Sequence, residues 1–78
     1  MFFELVVYGK HYLVNSDNLL YVKQGDENEE NLKSRKVFIY FIGGKKMCFE
    51  MQDALDAKLL FNKLRNILNP INPVEKLY

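Results

Sequence analysis

One histidine, His11, and one cysteine, Cys48, set the upper limit on the chemistry this chain can do. A metal site built on two histidines cannot form within one chain, and any serine or cysteine nucleophile would have to take His11 as its base. Ser16 and Ser34 fall in stretches that read as loops, where turn formation or capping accounts for a hydroxyl. Cys48 lies in an apolar strand pattern, where packing beside Ile39 would make it a small, unreactive core residue. His11 is expected to pack within its own hairpin against Tyr8 or Val22. Gly43-Gly44-Lys45-Lys46 has the glycines and lysines of a phosphate loop but neither the following Ser or Thr nor a strand-loop-helix context, so a hairpin turn explains it. These residues point away from an enzyme, a metal centre, a cofactor and a small-molecule substrate, and toward a protein that works by binding.

The elements that must position a binding surface are constrained by size. With 78 residues, 9.3 kDa, 49% hydrophobic and 27% charged residues, the chain reads as one globular domain over residues 1–69 with a proline-containing tail at 70–78. A domain of this size buries roughly 60 to 65% of the surface its unfolded chain exposes. Its core yields only about 3 to 5 kcal/mol of net stability, so oligomerisation is an expected support. The lone cysteine excludes an internal disulfide and suits a reducing, cytoplasmic setting. Met1-Phe2-Phe3-Glu4 lacks the basic region of a leader, and no stretch reaches the roughly 18 apolar residues of a membrane span.

Residues 2–24 alternate apolar clusters with turn chemistry, which predicts three short antiparallel strands broken at Gly9-Lys10 and at Asn15-Ser16-Asp17-Asn18. With Gly9-Lys10 as the loop, Val7 pairs with Tyr12 and Leu5 with Val14. Leu5, Val7, Tyr12, Val14, Leu19 and Tyr21 then share one face, and Val6, His11, Leu13, Leu20 and Val22 the other. Residues 25–35 switch sharply from acidic to basic and read as a solvated loop. A second hairpin follows, with strands at 36–42 and 45–51 about Gly43-Gly44. A two- or four-residue loop there places Phe38, Tyr40, Met47 and Phe49 together, and Val37, Ile39, Phe41 and Cys48 on the other face with Lys46 and Glu50. Asp53 and Asp56 imitate a capping box ahead of a helix that Asn69-Pro70 stops. Ala57, Leu60, Phe61, Leu64, Ile67 and Leu68 form its apolar stripe, while Leu55 and Leu59 point away. The fold class expected is α+β: an antiparallel β-meander of four to five strands with one C-terminal helix packed on one face.

A small domain has one core, yet Val37 to Ile42 leaves neither side of its strand polar. Val37, Ile39 and Phe41 are therefore candidate partner contacts on a spare sheet face, with Leu55 and Leu59 as a separate outer patch. The partner would be a second copy or a larger protein. The competing arrangement is a strongly curled sheet whose N-terminal strands fold over that face. Lys33, Arg35, Lys36, Lys45 and Lys46 gather around the ends of one hairpin and are candidate nucleic-acid contacts, although the net charge is only +1 and lysines also protect sheet edges from pairing.

The run Gly9-Lys10-His11-Tyr12-Leu13-Val14-Asn15, then Leu19-Leu20-Tyr21-Val22, Val37-Phe38-Ile39-Tyr40-Phe41 and Gly43-Gly44-Lys45-Lys46, resembles a pattern in very short bacterial and phage proteins, among them small cytoplasmic proteins of flagellar operons. The resemblance implies a β-meander with one helix that acts through protein contacts without a cofactor. Three functions are carried forward: a non-enzymatic interaction module that self-associates or docks on a larger protein, a mobile-element inhibitor of a host nucleic-acid-handling or defence complex, and a weak nucleic-acid binder.

Overall fold

The computed structural model describes residues 1–26, 29–30 and 33–68. Within them the chain is α+β, with antiparallel strands in two sheets and a C-terminal helix. Strands β1 (Phe2–Val7) and β2 (Lys10–Asn15) form a separate hairpin. Strands β3 (Leu19–Asp26), β4 (Glu29–Glu30), β5 (Lys36–Phe41) and β6 (Lys46–Glu50) form a second sheet in the order β4-β3-β5-β6. Helix α1 (Ala54–Leu68) packs on β3 and β5. One core joins these parts: Leu5, Val7 and Val14 from the hairpin, Val37, Ile39 and Phe49 from the sheet, and Ala57, Leu60 and Leu64 from the helix.

The first hairpin turns at Tyr8-Gly9, with φ of 48° and 76°. Positive φ at both central residues matches the right-handed twist of the flanking strands, and glycine takes the second position without steric cost. Leu5 therefore faces Tyr12 and Phe3 faces Val14, a register two residues away from one turning at Gly9-Lys10. Because side chains alternate with a period of two, that shift leaves each residue on its expected face. Leu5, Val7 and Val14 are buried, and Val6, His11 and Leu13 are exposed.

The expected three-strand meander does not form. Residues Ser16–Asn18 make a 3-10 turn, in which the Asn15 side chain accepts from the Asp17 amide at 3.1 Å. The Ser16 amide and hydroxyl both donate to the Met1 carbonyl at 2.8 Å. The end of β2 is thus tied back to the N-terminus, and β3 leaves to pair with β5. An irregularity at Leu20 lets Leu19 and Val22 oppose Phe41 and Ile39, so both reach the core face although they are three residues apart. The stretch expected as a loop from residue 25 begins instead with two ladder pairs, Gly25 with Glu30 and Asp26 with Glu29. Residues 70–78, expected as a tail, lie outside the described residues.

The second hairpin carries the larger correction. Its loop is Ile42-Gly43-Gly44, closed by the Phe41 amide donating to the Lys45 carbonyl at 2.8 Å, and both glycines have φ near +90°. An odd loop shifts the return strand by one residue, which exchanges its two faces. Met47 and Phe49 therefore join Ile39 and Val37 on the core side, while Lys46 and Cys48 join Tyr40 and Phe38 on the outer side.

Helix α1 begins as its sequence requires. The Asp53 carboxylate accepts from the Asp56 amide at 2.8 Å, and the Asp53 carbonyl accepts the first helical bond from Ala57. Asp56 does not complete a reciprocal box, because its carboxylate accepts the Tyr8 hydroxyl at 2.8 Å. Ala57, Leu60 and Leu64 are buried, whereas Ile67 at the end of the stripe is 41% exposed. Gln24, fully buried between sheet and helix, donates its amide to the Ser34 carbonyl at 2.9 Å and the Ala54 carbonyl at 3.2 Å. Those bonds fix the helix start against β3.

Candidate interaction surfaces

Val37 and Ile39, expected on a spare sheet face, have no exposed surface, and Phe41 packs against the same core. The helix and the first hairpin together cover that face, so Val37 and Ile39 are internal and not partner contacts, while Phe41 is half-buried against them. A small domain with a single helix lacks the width to cover a four-stranded sheet; the β1-β2 hairpin supplies the rest, with Tyr12 meeting Phe49 edge to face at 5.2 Å. Leu55 and Leu59 stand where the helical wheel put them, 64% and 57% exposed.

The outer side of α1 continues into a groove of about 510 Å³. Val6 and Val7 of β1 and Tyr8 of the turn form one wall, and Asp56, Leu59 and Lys63 lie along the helix wall. Tyr8 bridges the groove at one end: its hydroxyl donates to Asp56 and accepts the Gln52 amide at 2.7 Å. The Gln52 bond, the strongest single influence, pulls the Tyr8 phenol down. Desolvation and the Asp56 and Asp53 carboxylates outweigh it and hold the group above its ordinary value. Beyond Val6 the outer face of the hairpin carries Leu13, diagonal to Val6, and Phe2, diagonal to Leu13. His11 also lies on this outer face, exposed and 3.5 Å from Glu4.

The outer face of the four-stranded sheet is of a different kind. Tyr21 of β3 and Tyr40 of β5 stack at 4.5 Å between ring centroids with 20° between planes, and Tyr40 lies 6.0 Å from Phe38 at 25°. The Lys23 ammonium sits 5.5 Å from the Phe38 centroid and 5.7 Å from that of Tyr40, and Lys46 sits 5.9 Å from Phe38. These cations shield Phe38, which is buried although it faces away from the core. Cys48 pairs with Phe38 across the ladder and is exposed, not packed beside Ile39.

The five basic residues singled out from sequence divide between the two ends of the β5-β6 hairpin. Lys36 pairs with Glu50 at one end, and Arg35 holds Glu50 at 2.7 Å. Lys46 pairs with Tyr40 at the other end, next to Lys45 in the loop region. Lys33 is exposed just before β5. Sequence reasoning missed Tyr21, Lys23, Phe38 and Tyr40 as a shared surface; alternation from Phe38 to Tyr40 was visible, but the strand supplying Tyr21 and Lys23 was assigned to another neighbour.

Among the described residues no group of three or more His, Cys, Asp or Glu side chains converges as a metal site, and no helix is long and apolar enough to cross a membrane. Compared with protein-family models, curated proteins and solved structures, the chain gives no match.

Proposed function

We propose that this protein is a non-enzymatic interaction module that pairs with a second copy of itself across the hairpin-helix groove. The observation that carries the reading is the continuity of the apolar surface: Phe2, Leu13 and Val6 on the hairpin run to the groove, and Leu59 and Leu55 continue it on α1. The five side chains are exposed to about six-tenths on average. Burying a large apolar side chain fully stabilises by about 1.5 to 3 kcal/mol. Covering these five on each of two copies therefore gives roughly 9 to 18 kcal/mol, against an association cost on the order of 4 to 15 kcal/mol. Charge does not oppose self-pairing. The net charge is +1, and both signs border the patch, with Glu4 and Asp56 set against Lys63.

The test is the solution mass by light scattering across a wide concentration range. A mass of twice 9.3 kDa that falls to the monomer in Leu59→Glu, with the far-ultraviolet circular dichroism unchanged, is the expected result. A monomer at every concentration, or a dimer that Leu59→Glu and Val6→Glu leave intact, overturns it.

A further inference from the structure

We infer that the outer face of the four-stranded sheet binds single-stranded nucleic acid, with Tyr21, backed by Tyr40, as the stacking surface for a base and the lysines around them as phosphate contacts. In a two-layer fold this face is turned from the core, and polar residues would be enough to solvate it. Instead it carries a row of three rings, Tyr21, Tyr40 and Phe38, on two adjacent strands. The rings fix one another: the Tyr21-Tyr40 pair is nearly parallel at 4.5 Å, and Tyr40 in turn lies 6.0 Å from Phe38, the ring beneath the lysines. A platform ordered before binding loses little entropy when a base is laid on it. Tyr21 is 47% exposed, so ring surface is open to a ligand.

Charge selects the occupant. Lys23, Lys36 and Lys46 belong to this face by register, from three different strands, and the acidic Glu50 opposite Lys36 is held by Arg35. A second copy would bring the same cations against these, whereas a polyanion is complementary. Between Lys36 and Tyr40, the partner of Lys46, β5 extends for roughly 13 Å, so cations stand at both ends of the aromatic row. A stack of rings presents its free end face to a base whose own face is open, as in a single strand, and not to bases already paired inside a duplex. The basic-aromatic face is also separate from the hairpin-helix groove, so a dimer formed there leaves it accessible.

The experiment measures fluorescence anisotropy of labelled oligothymidylate and oligouridylate with the full chain between about 50 and 200 mM salt. Binding that weakens with salt is expected for at least one of the two, and which one is preferred separates DNA from RNA. Tyr21→Ala should weaken it about 5- to 150-fold, the range of one base-aromatic stack, while Tyr21→Phe retains it. Lys46→Gln should lower the slope of log K against log salt by about 0.7. Circular dichroism on each variant verifies the fold. No binding at about 50 mM salt overturns the inference. Equal affinity for a duplex, or an affinity that Tyr21→Ala leaves unchanged, also overturns it, by showing attraction to charge alone.

Discussion

Replacing Ile39 by alanine separates an internal sheet face from an interface. Ile39 has no exposed surface, lies between Val22 and Met47 in the ladder, and faces the helix and hairpin side of the sheet. Truncating a buried isoleucine costs about 2 to 5 kcal/mol, the transfer term plus the cavity left behind. Against the roughly 3 to 5 kcal/mol that a core of this size supplies, the substitution removes two-fifths of the stability at the least and all of it at the most. For domains of this size 1 kcal/mol moves Tm by about 4 to 8 °C, so a fall of at least about 8 °C is expected. Thermal melts followed by circular dichroism, with urea midpoints as a second readout, measure it at one fixed protein concentration, because a dimer's Tm depends on concentration. Leu20→Ala is the control; its side chain is 60% exposed and is not among the proposed dimer contacts, so it should change stability by no more than about 0.5 kcal/mol. If Ile39→Ala kept its Tm and instead lost the dimer, Ile39 would be an interface residue and the core described above would be wrong.

Three further outcomes follow from local geometry. Gly44→Ala, at φ +84° with nothing within 4 Å of the added Cβ, should cost about 1 to 2 kcal/mol from backbone conformation alone, read as a shift in urea midpoint. Asp53→Ala removes the carboxylate that caps α1 and should destabilise by about 0.5 to 2 kcal/mol, with Asp53→Asn losing much less in the same urea titration. The raised Tyr8 phenol binds its proton more tightly in the folded than in the unfolded chain. Its contribution to stability is therefore complete below about pH 10 and lost as pH rises through the folded value. Tm measured against pH should fall less steeply above about pH 10 in Tyr8→Phe than in the parent, and parallel curves would contradict this.

The elements whose signals are local were readable in the sequence. Asp53 caps α1 as its capping chemistry requires, and Ala57, Leu60 and Leu64 face inward while Leu55 and Leu59 face outward, as a 3.6-residue period dictates. The faces of β1, β2 and β5 also follow from alternation. What alternation does not contain is the parity of a loop or the identity of a strand's neighbour. The three-residue turn after Phe41 exchanged the faces of β6, and the Asn15–Asn18 segment, rich in hairpin residues, released β3 toward a partner far along the chain. Both outcomes depend on long-range pairing, and both decide function. They placed Val37 and Ile39 in the core, with Phe41 half-buried against it. They also gathered Tyr21, Lys23, Phe38, Tyr40 and Lys46, which no window of sequence holds together, on one sheet face.

The Ile42-Gly43-Gly44 turn has a bearing on how such a chain can change over generations. Single substitutions in β6 alter one side chain at a time, and most of its positions are exposed enough to absorb them. Losing or gaining one residue in the turn would rotate the whole strand, bringing Lys46, Cys48 and Glu50 inward and putting Met47 and Phe49 in water. Descendants of this sequence should therefore drift in composition along β6 while the spacing from Phe41 to Lys46 stays fixed. Lineages that do alter it should do so by two residues at once.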